Sequence, residues 1–171
     1  MKDATAYVCG LGFYEFSLNG EKVGDSEFAP LWSDYDKSVY YNTYDVTSQV
    51  KKGGNAIGVL LGNGFYNVQG GRYRKLQISF GAPTLRFRMV VNYEDGTCET
   101  IVSGKDWKYD FSPVLFNCIY GGEDYDARRE QKGWNMFGFK EQDWRPVVIQ
   151  EAPKGVLRPQ IAQPVKIMER Y

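Results

Sequence analysis

Leu85-Arg86-Phe87-Arg88-Met89-Val90-Val91-Asn92-Tyr93-Glu94-Asp95-Gly96-Thr97-Cys98-Glu99-Thr100-Ile101-Val102 is the stretch that decides the fold class. Leu85, Phe87, Met89, Val91 and Tyr93 fall on one face of an extended chain, with Arg86, Arg88 and Asn92 on the other. This period of two marks a half-buried strand. Asp95-Gly96 then supplies a pair that tolerates the positive φ of a tight turn, so the chain returns through Cys98, Thr100 and Val102 as a hairpin. Upstream the same grammar recurs. Tyr14, Phe16 and Leu18 share one face, and Asn19-Gly20 predicts a second hairpin running to Gly24.

Between these hairpins, Asn55-Ala56-Ile57-Gly58-Val59-Leu60-Leu61 is continuously apolar, which predicts a central strand covered on both sides. Val46 to Lys52 has room for a helical turn or two, capped by Asp45 or Thr47. Residues 62–83 and 119–144 are rich in glycine and aromatics but lack periodicity, and so predict long loops. Gly53-Gly54 and Gly70-Gly71 lack the strand-to-helix setting of a phosphate loop and read as turns. Together these features predict an all-β chain: an antiparallel β-sandwich of two packed sheets with Greek-key or jelly-roll connections, long loops and at most short helices. Residues 1–155 form the module. Residues 156–171 form a C-terminal strand or a linker leading to a further domain.

Composition narrows the chemistry. A chain of 171 residues buries enough surface for one domain without staples. Lys plus Arg and Asp plus Glu both number 21, so no basic field gathers nucleic acid or anionic lipid, and neither is expected as a partner. Cys9, Cys98 and Cys118 are an odd set without a C-x-x-C pair, and the chain has no His, which argues against a zinc site. Ser-His-Asp and Cys-His constellations are excluded on the same ground, leaving carboxylates for any catalysis. No apolar run reaches the ~18 residues of a membrane span, and Met1 leads into a strand rather than a signal segment.

Two stretches mix rings with oxygen acceptors: Trp32 to Thr47, and Gly62 to Asn67. Aromatic faces suit sugar C–H groups, while acids and amides between them accept hydrogen bonds from hydroxyls. Trp32, Asp34, Tyr35, Asp36, Asn63, Tyr66 and Asn67 are the candidate sugar contacts. The competing reading makes Asp34 and Asp36 turn caps and the rings core residues. Arg72, Tyr73, Arg74 and Lys75 form a small basic-aromatic patch that suits either an acidic sugar or a solvated loop face. Glu123, Asp124, Asp126 and Arg128 are the most acidic short cluster. Two carboxylates there can in principle act as acid and base on a glycosidic bond. Arg128 instead lowers the pKa of its partner, so Glu123, Asp126 and Arg128 are expected to form a structural lock.

The run Leu18-Asn19-Gly20 through Val23-Gly24, with Tyr44-Asp45-Val46-Thr47 and Gly54-Asn55, resembles galactose-binding-like jelly-roll modules. Adding Pro30 to Lys37, Tyr41 to Thr47, Gly62 to Tyr66 and Tyr120 to Arg128, the chain resembles, from about Ala4 to Pro153, the N-terminal domain of bacterial α-L-rhamnosidases. That resemblance implies a glycoside hydrolase parent in which carboxylates of a separate (α/α)6 barrel perform the hydrolysis. It implies that this module is a non-catalytic accessory, binding or positioning L-rhamnose-terminated glycans for that barrel. The alternative is a purely structural domain packed on the barrel, and a stand-alone carboxylate glycosidase is less favoured. Partners would be a rhamnose-containing glycan and the parent's catalytic domain. Some modules of this kind hold sugar through calcium, for which Asp34, Asp36 and Asn63 would be the oxygen ligands. Such relatives follow the acid with an amide, whereas Lys37 follows Asp36 here, so no cofactor is required and calcium is the one candidate. The resemblance implies a periplasmic or extracellular bacterial parent; the residues themselves leave the compartment open.

Overall fold

The computed structural model describes residues 1–70 and 76–169; the patch at Arg72, Tyr73, Arg74 and Lys75, and Gly71, lie outside the described residues. The chain opens with β1 (Asp3–Leu11), β2 (Phe13–Leu18) and the short β3 (Glu21–Lys22) and β4 (Ser26–Glu27). It continues through β5 (Ser38–Asp45), β6 (Ile57–Gly62), β7 (Asn67–Val68) and β8 (Ile78–Ser79). The hairpin strands β9 (Thr84–Asn92) and β10 (Cys98–Val102) precede β11 (Lys108–Tyr109), β12 (Val114–Cys118) and β13 (Gly122–Tyr125). After a 3-10 turn at Ala127–Arg129 come β14 (Arg145–Pro146), β15 (Val156–Pro159) and β16 (Val165–Lys166).

Both predicted hairpins form. In the β9–β10 pair, Asn92 faces Cys98 and Arg88 faces Val102, while Asp95 Oδ1 accepts the Thr97 amide at 3.0 Å across the turn. Phe87, Met89 and Val91 are buried and Arg86 and Arg88 exposed, as the alternation requires. Asn19 and Gly20 adopt φ of 55° and 89°, which lets β2 fold back on β3. The Asn19 side chain also ties this turn to the chain entering β6, donating to Gln49 O at 3.0 Å and accepting from the Ala56 amide at 2.9 Å.

A five-stranded sheet in the order β10-β9-β1-β5-β15 faces a three-stranded sheet in the order β3-β2-β6. One core joins them: Ala4, Ala6 and Val8 from β1, Phe87, Met89 and Val91 from β9, and Tyr14, Phe16 and Leu18 from β2. The Phe16 and Phe87 rings meet across the layers at 5.4 Å, nearly edge-on. The other face of β1 carries Cys9 and Leu11 into a second core with Tyr35, Val39 and Tyr66.

Three expectations need correction. β15 joins β5 in parallel, so the larger sheet is mixed rather than wholly antiparallel. Its partner segment arrives from the far end of the chain and is not constrained by a hairpin. β6 lies at an edge of its sheet, not at its centre. Its apolar run is explained by a segment draped over it: a Cβ at Gly58 would meet Trp134 and Asn135 at 2.8 and 2.6 Å. Asn135 also donates to Ser17 Oγ at 3.0 Å, and Ser17 donates to Gly58 O at 3.1 Å. Finally, Val46 to Lys52 forms a single turn in place of a helix, with the Gln49 and Val50 amides both donating to Val46 O at 3.0 and 3.1 Å. Asp45 caps that turn by accepting the Thr47 amide at 2.9 Å.

Phe16 is 1% exposed and bridges both layers. Phe16→Ala should lower unfolding stability by about 3–5 kcal/mol, read as a shift in the urea midpoint with an unchanged slope.

Candidate functional site

The loop between β4 and β5 and the turn after β6 bring the candidate ring Trp32 onto Phe65, which is not among the expected contacts. Gly64 has φ 51°, and a Cβ there would sit 3.0 Å from the Phe13 amide nitrogen, so only glycine lets the turn close against the β1–β2 corner. Of the next two residues, Phe65 is half-buried among other rings and Tyr66 is buried. Phe65 stacks on Trp32 at 5.5 Å with planes 29° apart. Phe13 and Tyr120 approach the same ring edge-on at 6.3 and 6.2 Å, and Phe28 extends the group from Phe13 at 5.4 Å. Trp32 remains 63% exposed, so the indole face turned away from Phe65 is open to solvent.

Tyr35 and Tyr66 go the other way. Both are 6% exposed, packed against each other at 5.0 Å and against Phe80 in the second core. They cover Cys9 and Leu11 on the outer face of β1 and offer no ring to a ligand in solvent. Burial pushes the Tyr35 phenol up to about 12 and the Cys9 thiol up to about 11. The Tyr14 phenol, buried against Tyr44, is raised as well.

The amides are occupied. Asn63 donates from its backbone to Asn117 Oδ1 at 2.7 Å and from Nδ2 to Asn117 O at 2.9 Å, and its Oδ1 accepts from Asn67 Nδ2 at 2.8 Å. Asn67 is 5% exposed. These three asparagines pin the Gly62 to Asn67 turn to β12, a job that demands a side chain able to donate and accept at once.

Asp34 and Asp36 are exposed, and the Asp34 carboxylate is paired with Lys37 Nζ at 2.8 Å and accepts the Asp36 amide at 3.2 Å. The Lys37 hydrogen bond holds the Asp34 carboxyl below the usual carboxylate range. Calcium takes six to eight oxygens. Asp34 faces an ammonium, the Asn63 carbonyl is taken by Asn67, and among the described residues no three Asp, Glu, Cys or His gather into a metal-holding group.

At the acidic cluster, Arg128 Nε and Nη2 each donate to Asp126 at 2.8 Å, and Asp126 Oδ1 also accepts the Arg128 amide, capping the 3-10 turn. This pair depresses the Asp126 carboxyl. Glu123 stands apart, exposed in β13 opposite Asn117, and takes no part in the lock. The lock is a local brace between residues two positions apart. Phe13, Phe28, Phe65 and Tyr120 are not among the expected contacts because they lie in four separate segments, the start of β2, the residue after β4, the turn after β6 and the turn between β12 and β13; only the packing of those segments brings them together.

The profile of the family described as "Alpha-L-rhamnosidase N-terminal domain" matches residues 1–169. An α-L-rhamnosidase of Formosa agariphila is 44% identical over 146 residues, which are 83% of this chain and 15% of that protein. One from Streptomyces avermitilis is 39% identical over 166 residues, 96% of this chain and 16% of that protein. Among solved structures, α-L-rhamnosidase from Dictyoglumus thermophilum superposes with a TM-score of 0.91 at 40% identity, covering 99% of this chain and 18% of that one. Streptomyces avermitilis α-L-rhamnosidase complexed with L-rhamnose gives 0.89 at 38% identity, covering 98% and 16%. This chain therefore spans less than a fifth of the length of each of these proteins.

Asn63→Ala removes the acceptor of Asn67 Nδ2 and the side-chain donor to the Asn117 carbonyl, and should cost about 2 kcal/mol of stability in urea unfolding. A stable variant would contradict the pinning role. Separately, the buried thiol and phenols hold their protons more tightly when folded than their ordinary values of 9.0 and 10.0. Stability should therefore be complete below about pH 9 and fall as pH rises toward 12, with Tyr35→Phe flattening the decline. Urea midpoints across this range test it; a level profile would refute it.

Proposed function

The chain belongs to the α-L-rhamnosidase N-terminal domain family, and from that premise we propose that it is a non-catalytic accessory module presenting the Trp32 face to L-rhamnose-terminated glycans. The observation that carries the reading is the solvent-open indole of Trp32, backed by Phe65, beside the exposed Asp34–Lys37 pair. The apolar face of a pyranose stacks on such a ring while its hydroxyls reach the carboxylate and ammonium. A relative at 38% identity is known complexed with L-rhamnose, which supports the choice of sugar. The two facing sheets are read as a galactose-binding-like jelly roll whose loops carry the contacts at the rim.

Bond cleavage belongs, on this reading, to another part of a longer α-L-rhamnosidase chain. A general acid needs a raised carboxyl pKa, and the acids that Lys37 and Arg128 engage, Asp34 and Asp126, move down. Recognition is also read as calcium-independent, because Lys37 already neutralises Asp34.

A second reading, docking against a catalytic (α/α)6 barrel, is favoured by Phe137. This ring is 69% exposed, and it lies over Gly54 so closely that a Cβ there would meet it at 2.0 Å. Such a fixed, exposed ring suits a packing surface between domains.

Titration calorimetry separates the two. L-rhamnose should bind with a Kd on the order of 1 mM, unchanged by EDTA, and Trp32→Ala should weaken it about tenfold or more without shifting the melting temperature. Silence with the unsubstituted chain would remove sugar recognition and leave the docking role.

A further inference from the structure

A cleft of about 350 Å³ lies where the C-terminal segment returns over β5, lined by Ser26, Tyr41, Asn42, Tyr44, Pro159 and Gln160 among others. Its volume falls at the lower end of the ~300–1,000 Å³ range of small-molecule sites.

Hydrogen bonding fixes the polarity of its floor. Tyr14, 7% exposed, donates its one phenolic proton to Asn42 Oδ1 at 2.9 Å. The 2.9 Å contact between the Tyr14 and Tyr44 hydroxyls must then run from Tyr44 to Tyr14, because Tyr14 has no second proton to give. Tyr44 Oη is left with acceptor capacity, and Asn42 Nδ2 is left as a donor with no partner among the described residues. The two sit two residues apart on one face of β5, both lining the cleft.

The walls are preformed. The Gln160 amide donates to Tyr41 O at 2.9 Å, while its side chain accepts from the Leu31 amide at 2.9 Å and donates to Ala162 O at 3.1 Å. Gly24, at φ 78°, leaves room for Tyr44, whose Cε1 would lie 2.8 Å from a Cβ there. The one carboxylate in the lining, Asp25, is neutralised by Lys166 at 2.7 Å.

We propose that this cleft is a second saccharide position, in which Tyr44 Oη accepts from one hydroxyl of a vicinal diol and Asn42 Nδ2 donates to the next. A neutral, hydroxyl-rich ring matches an acceptor beside a donor in a charge-neutral cleft. A phosphate or metal cation does not. The site uses no residue of the Trp32 face, so its fate is separable from that of the first position.

The test is a nitrogen-15 amide NMR titration of the chain with methyl α-L-rhamnopyranoside. The Asn42 side-chain amide and the Tyr41 to Tyr44 and Gln160 backbone amides should shift and saturate in the millimolar range, and should do so equally in Trp32→Ala. Tyr44→Phe and Asn42→Asp, which retains the acceptor for Tyr14, should each weaken the effect about fivefold with the melting temperature held. The fully O-methylated glycoside, unable to donate, should leave these signals in place. No movement at Asn42 and Tyr44 by concentrations on the order of 10 mM, or its loss in Trp32→Ala, would overturn the proposal. Movement at Asn42 with none around Trp32 would sustain it while removing the first site.

Discussion

The need to cover both faces of β1 governs this molecule. Ala4, Ala6 and Val8 point to one side and Cys9 and Leu11 to the other, so a single strand seeds two cores. A strand in water with one apolar face open would forfeit roughly 1.5–3 kcal/mol for each large side chain left exposed. The three-stranded sheet closes the first face through Tyr14, Phe16 and Leu18. Among the described residues the other face is closed by Tyr35 from the loop before β5, Val39 from β5 itself and Tyr66 from the turn after β6.

That demand divides the aromatic residues of the loops into two populations. Trp32 faces solvent, stacked on a half-buried Phe65, whereas Tyr35 and Tyr66, only a few residues away in chain, are drawn inward over β1. Polar neighbours follow the same division. Asn63 and Asn67 hold the inward-turning loop to Asn117, while Asp34 and Lys37 remain outside as an ion pair. An exposed pair of this kind adds little to stability, which leaves it available for contact.

The end of the chain is part of the architecture. β15 extends the large sheet beside β5, β16 pairs with β4, and Gln160 fastens the segment to Tyr41 and to the amide of Leu31 beside Trp32. An otherwise open edge of β5 is thereby covered, as edge strands require. The same return forms one wall of the cleft over Asn42 and Tyr44. Residues 134–137 do comparable work on the smaller sheet, where Trp134 and Asn135 lie over Gly58 and Met136 lies 3.1 Å from where a Cβ of Gly20 would stand.

Local signals in the sequence determined the all-β class, both hairpins and the inward face of β9, because period-two alternation and Asn-Gly or Asp-Gly turns act between residues close in chain. Four separated motifs also carried the family resemblance. Tertiary structure alone decided which rings are surface and which are core, since a Trp or Tyr in an aperiodic loop carries no phase to say which way it faces. It likewise decided that β6 is an edge strand sheltered by residues 134–135, that β15 runs parallel to β5, and that Asn42 and Tyr44 line a cleft with residues more than a hundred positions later. Each of these depends on contacts between distant segments, and the free energy that selects them comes from burying one segment's apolar side chains against another's, a quantity that no local pattern encodes.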